Sequence, residues 1–160
     1  MTETETETGS IVNGENFALI IKQEQDNYIH QLIIDSDGVL TPDDQVNIIK
    51  IYDNCSKAVK DAFDGDSTND IDSWDFSDWI KIVLPIVKAI EKYNSSDKTG
   101  EYKKTVAIIV AKCVIVNELT LSEENRKLLI DAIDSYLKPS IDIIVFMINS
   151  SDSKKRCFCF

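Results

Sequence analysis

His30 is the only histidine in 160 residues, so a histidine-based metal site or catalytic pair would have to recruit other side chains. Cysteine is sparse too. Cys55, Cys113, Cys157 and Cys159 follow no framework spacing, and two tail cysteines fall short of the four ligands a structural zinc takes. Cys55 and Cys113 fall within apolar helical patterns, where a thiol acts as a small hydrophobe. Lysine and arginine cluster only at Lys154–Arg156, which argues against nucleic-acid binding. No apolar run reaches the ~20 residues of a membrane span. Met1 is followed by no basic region leading into an apolar run, so no signal peptide is predicted, and the expected setting is reducing, intracellular and cytoplasmic. No pair of alternating segments suggests a β-hairpin.

What is present is a chain with 43% hydrophobic residues, enough for one domain that buries roughly 70% of its unfolded surface. Its charge is lopsided. Residues 1–78 carry 18 acids and 4 bases, a balance of −14, whereas residues 79–160 carry 10 acids and 13 bases, or +3. The opening MTETETETGS is a Thr-Glu repeat with no apolar side chain after Met1, so residues 1–14 are expected to be a disordered acidic tail. The helical domain is expected over 15–150, and residues 151–160 form a flexible basic Cys/Phe tail.

Helical periodicity organises the rest. In the first helix Phe17, Ile20, Ile21, Tyr28, Ile29, Leu32 and Ile33 fall three and four apart, with His30 on the wetter side. Thr41-Pro42-Asp43-Asp44 is a helix start: a cap, a proline at the first position and two acids at the positive end of the dipole. The helix it opens runs to Phe63, with Val46, Ile49, Tyr52, Cys55, Val59 and Phe63 inward. A third follows with Phe76, Trp79, Ile80, Val83, Ile86, Val87 and Ile90, kinked or split at Pro85. The β-branched run TVAIIVAKCVIV is too long for an ordinary strand and reads as a buried helix. Thr120-Leu-Ser-Glu123 reads as a capping box for a helix to Leu137 that turns Leu129, Ile133, Tyr136 and Leu137 inward. Pro139 should stop it, and Ser140 should cap a last helix, IDIIVFMI. The fold class is all-α, a bundle of five to six helices.

Two stretches carry candidate chemistry. DGDSTNDIDSWD resembles a degenerate EF-hand loop, with Asp64, Asp66, Thr68, Asp70, Asp72 and Asp75 at the ligand positions. It departs from the pattern with Thr at the fifth position, Asn69 at the sixth and Asp75 at the twelfth, which points to weak Ca²⁺ or Mg²⁺ binding. A partner loop would be IIDSDGVLTPDD, aligned on Gly38, with Asp35 and Asp37 as ligands and Ile33 where the first ligand should be. The plainer reading of both is a capped, hydrated turn. With no glycine-rich phosphate cradle or nucleophile–base pair beside the acids, no enzyme activity or resident cofactor is expected. The ending SKKRCFCF has the outline of a prenylation box, with Cys157 and Cys159 as lipidation candidates and Lys154–Arg156 as an electrostatic second signal.

From Trp79 to Ile148 the order of a helix with "LP", a basic YKK, a β-branched helix, LSEENRKLLIDAID and LKPSIDIIV resembles small uncharacterised helical proteins of large DNA viruses and some phages. That resemblance implies a virion-associated or host-interaction role without established chemistry. The function expected is a non-enzymatic interaction protein that docks a protein partner or a membrane surface through 141–160. The alternatives are a cation-binding module and a lipid-anchored peripheral protein.

Overall fold

The computed structural model describes residues 14–63, 74–93 and 98–151, and among them every regular element is helical. In chain order these are α1 (Gly14–Ile34), a 3₁₀ turn (Pro42–Asp44), α2 (Gln45–Phe63), α3 (Phe76–Tyr93), α4 (Gly100–Asn117), α5 (Glu123–Ala132), a π turn (Ile133–Leu137) and α6 (Lys138–Ser151). The expected all-α bundle is what forms.

The β-branched run becomes the central helix. α4 buries Val106, Ala107, Ile109, Val110, Ala111, Cys113, Val114 and Ile115, and α1, α2, α3, α5 and α6 all pack on it. A helix apolar on every side must be surrounded, which explains why the run shows no single stripe. Thr99 caps it, its hydroxyl accepting the Tyr102 N–H at 3.2 Å. Among the described residues one charged side chain is buried: Lys103 is only 4% exposed, and its ammonium meets Glu91 of α3 at 3.1 Å.

The stripes of the outer helices shift by a position or two from their expected course. On α2 the buried set is Ile48, Ile51, Tyr52, Cys55, Val59 and Phe63, while Val46 is 62% exposed and Ile49 only partly covered. Val46 stands about 200° around the helix from Ile48, so the face that buries Ile48 turns Val46 to solvent. On α1, Ile29 and Ile33 are core and Tyr28 and Leu32 pack against it, but Ile20 and Ile21 face solvent. Leu129, Ile133 and Leu137 are buried as expected, whereas Tyr136 is exposed.

Of the two outcomes expected at Pro85, the split does not occur, since α3 runs through it unbroken. Pro139 does not stop the helix either: α5, the π turn and α6 follow one another without a break. Proline lacks the N–H that would bond the Ser135 carbonyl and crowds that carbonyl. A widened turn immediately before it relieves the clash. Ser140 is accordingly no cap, since its hydroxyl donates back to the Tyr136 carbonyl at 2.5 Å. The cap of α5 is Ser122, which accepts the Asn125 N–H at 3.2 Å, and not Thr120.

The inner residues Leu129, Ile133, Leu137, Ile141 and Val145 recur every four positions. In a regular α-helix each such step drifts about 40°, so four steps would carry the stripe roughly 160° around. The extra residue of the π turn takes back about 100° and keeps Ile141 and Val145 on the core. Thus the start of IDIIVFMI is core, and Ile143 alone of its described side chains that are apolar faces out.

Candidate functional site

Asp64, Asp66, Thr68, Asp70 and Asp72 lie outside the described residues, as do Cys157 and Cys159. Asp75 is described, and it caps α3. Its Oδ1 accepts the Ser77 N–H at 2.7 Å, and its own N–H donates to Asp78 Oδ2 at 3.0 Å. The Ser77 hydroxyl and N–H hold this carboxyl below its ordinary range. An aromatic clasp closes the neighbouring ends of α2 and α3: Trp74 stacks on Phe63 with centroids 5.2 Å apart and meets Trp79 edge-on at 5.6 Å.

The proposed partner loop is a tight turn at the end of α1. Ser36 Oγ donates to the Ile33 carbonyl at 2.6 Å and accepts the Leu40 N–H at 3.2 Å. Asp37 (φ 52°) and Gly38 (φ 78°) are left-handed, and Ile33 and Leu40 are buried as anchors on either side. Aspartate and asparagine enter this region more readily than most residues, and glycine without strain. Among the described residues no group of three or more His, Cys, Asp or Glu is arranged to hold a metal ion.

A groove of about 520 Å³ opens beside this turn, between the end of α1, α4 and the π turn. Its floor is apolar, with Leu32, Val39, Ile108 and Ile109. Asp35 and Asp37 stand on one wall. On the other, Lys112 pairs with Asp134 at 2.8 Å and Lys138 approaches Glu101 at 3.8 Å. Together with Lys104–Asp142 at 2.7 Å, these pairs fasten α4 to the π turn and α6.

The second surface feature lies at the other end of α1. Leu19, Ile20 and Ile21 are 65%, 49% and 46% exposed, three successive apolar side chains in water. They adjoin a groove of about 400 Å³ lined by Ile21, Lys22, Gln25, Asp26, Ile49 and Asp53. His30 and Gln45 bracket α1 to α2: His30 Nδ1 lies 3.2 Å from Gln45 Oε1, and Gln45 Nε2 donates to the Asp26 carbonyl at 3.1 Å. That bracket is structural, and His30 is exposed as expected.

The remaining titratable groups of the interior are held neutral. Burial, with Cys113 and Asp134 adding, pushes the Tyr28 hydroxyl up to about 12. Tyr52, which donates to Glu118 at 2.5 Å, is pushed well above its ordinary value by burial and by that carboxylate. Burial raises the Cys55 and Cys113 thiols to about 12, the opposite of a reactive cysteine. No protein-family model matches the chain, and no curated protein or solved structure is similar to it. Sequence reasoning missed both grooves, whose walls come from helices distant in sequence. It also missed the exposed row on α1, of which it assigned Ile20 and Ile21 to the core.

Proposed function

We propose that this is a non-enzymatic interaction protein whose docking surface is the exposed N-terminal half of α1 with the adjoining α1–α2 groove. The observation that carries the reading is the row Leu19, Ile20 and Ile21. Three neighbouring apolar side chains left in water form a patch of the kind that marks a partner site, with a ready-made slot lined by Ile21 and Ile49 beside it. Asp26 and Asp53 border the slot against the single Lys22, a net negative rim, so the partner fitted here is an amphipathic helix with a basic polar face. A virion- or host-associated setting, implied by the resemblance of the Trp79–Ile148 segment, suits such a role. Of the segment 141–160 expected to dock, Ile141 and Val145 belong to the core, and residues 152–160 lie outside the described residues.

The test is fluorescence anisotropy with a labelled Leu/Lys amphipathic helical peptide and a Leu/Glu control. The basic peptide binds and the acidic one does not. The triple replacement Leu19→Asp, Ile20→Asp, Ile21→Asp weakens binding at least about tenfold while leaving the melting temperature in place, because these side chains contribute little to the core. Binding indifferent to the triple replacement, or none at all, refutes the surface.

A further inference from the structure

We infer that Asp37 is a site of spontaneous isoaspartate formation, a backbone rearrangement that needs no enzyme and loosens the turn at the end of α1. The inference is independent of the α1 docking surface.

The chemistry asks for an aspartate, a following residue without a side chain, and a backbone nitrogen that is accessible and not engaged. Asp-Gly occurs at 37–38 and at 64–65, and the second pair lies outside the described residues. At the first, both residues are exposed and left-handed, with φ 52° and 78°. The Val39 N–H donates to the Ser36 carbonyl at 3.0 Å, which makes them the two central residues of a type I′ turn. The Gly38 N–H takes no part in that closing bond. Neither it nor the Asp37 carboxylate has a hydrogen-bond partner among the described residues. A Cβ placed on Gly38 would meet no atom within 4 Å, so the space around its nitrogen is open. Rotation about the Asp37 Cα–C bond brings the Gly38 nitrogen onto the side-chain carboxyl carbon at the cost of the one closing bond.

Asp35-Ser36, two residues earlier, supplies the contrast. The Ser36 N–H is held by the Ile33 carbonyl at 3.1 Å, and the Asp35 carboxylate accepts Gln31 Nε2 at 3.0 Å. The Ser36 hydroxyl is also engaged, donating to the Ile33 carbonyl and accepting the Leu40 N–H. Both reacting groups are tied down there, and a side chain crowds the nitrogen.

In the reaction the Gly38 nitrogen bonds to the Asp37 side-chain carboxyl carbon as the carboxyl C–OH bond breaks. The amide proton and the hydroxyl leave as one water, and a five-membered succinimide remains. Water then opens the ring. Opening at the side-chain carbonyl restores aspartate, and opening at the main-chain carbonyl routes the backbone through the former side chain. Composition is unchanged, but the backbone between the buried anchors Ile33 and Leu40 is longer by one carbon. The Val39 N–H on the Ser36 carbonyl and the Leu40 N–H on the Ser36 hydroxyl then no longer fit together.

The experiment ages the full chain for weeks at pH 6, in buffer and in guanidinium chloride. Residues 23–50 form a single tryptic peptide, and electron-transfer fragmentation of it separates isoaspartate from aspartate position by position. In buffer, isoaspartate should build up at 37 and not at 35, whereas in denaturant it should build up at both. Gly38→Asn suits the left-handed backbone but sets a β-carbon beside the nitrogen, and should slow conversion at 37 at least about fivefold. The converted fraction, separated by ion exchange, should melt below the unaged protein. Absence of isoaspartate at 37 in buffer, equal conversion at 35 and 37 in buffer, or an undiminished rate in folded Gly38→Asn would overturn the assignment.

Discussion

Lys103 offers the sharpest test of how this bundle is held together. Its side chain is about as buried as a core isoleucine, and the ammonium rests 3.1 Å from Glu91 Oε1, whose own side chain keeps 24% of its exposure. At an effective dielectric of about 20, the attraction at that distance is roughly 5 kcal/mol before desolvation, and desolvating the ammonium offsets most of it. The pair is therefore worth little in itself, yet breaking it is costly. Glu91→Gln leaves a positive charge inside α3–α4 with its carboxylate partner gone. For fully buried pairs that costs about 3–5 kcal/mol, and the solvent reaching Glu91 brings the expectation here to roughly 2–3 kcal/mol. In a domain of this length the melting temperature should fall roughly 5–10 °C. Lys103→Met/Glu91→Leu, which removes both charges and keeps the volume, should recover most of the loss. Urea unfolding of the wild type, Lys103→Met, Glu91→Leu and the double variant closes the cycle, with Glu91→Gln read beside it. A Glu91→Gln loss under about 0.5 kcal/mol, or a double variant weaker than either single, would refute the claim that burial of the ammonium sets the cost.

Truncation after Leu137 should unfold the chain, because it deletes Ile141 and Val145; Ile141→Ala alone should cost about 2–4 kcal/mol in urea unfolding. Burial opposes ionisation of Asp44, but the Thr41 N–H, the Tyr102 hydroxyl at 2.8 Å, the Thr41 hydroxyl and Lys98 outweigh it and hold the folded carboxyl below 3.8. Its contribution is therefore complete above that value and lost as pH falls through the lower folded one, so Asp44→Asn should flatten the acid limb of a stability–pH profile. Mass-mapped alkylation at pH 8 should label Cys55 and Cys113 only as fast as the domain opens, since both thiols sit at about 12. Asp75→Ala should lower the melting temperature equally in chelator and in millimolar Ca²⁺ or Mg²⁺ if its work is capping α3, and calorimetry with those ions on Asp64→Ala reports on the acidic loop directly.

Where the helices lie was readable because the signals are local. Thr41-Pro42-Asp43-Asp44 closes on itself, with the Thr41 N–H and hydroxyl donating to the Asp44 carboxylate at 2.8 and 2.9 Å, and this needs no distant residue. The same holds for Ser122 on Asn125 and Asp75 on Ser77, although the capping role of Ser122 was credited to Thr120 two residues early. The π turn also left a trace, since apolar residues spaced four apart from Leu129 to Val145 cannot stay on one face of a regular helix. Proline, read alone, suggested a break.

Amino-acid order by itself settled that the chain is all-α, where α1 and α2 begin, and that the β-branched run is an interior helix. Tertiary structure alone decided which edge of each stripe is covered. Val46 and Ile48 are similarly apolar, and Ile21 and Ile29 are identical, but only one of each pair is turned into the core. It also decided that Lys103 turns inward to Glu91, and that the end of α1, α4 and the π turn enclose a groove. Periodicity and capping act within a turn or two of chain, whereas burial, ion pairing and grooves depend on helices that meet across tens of residues.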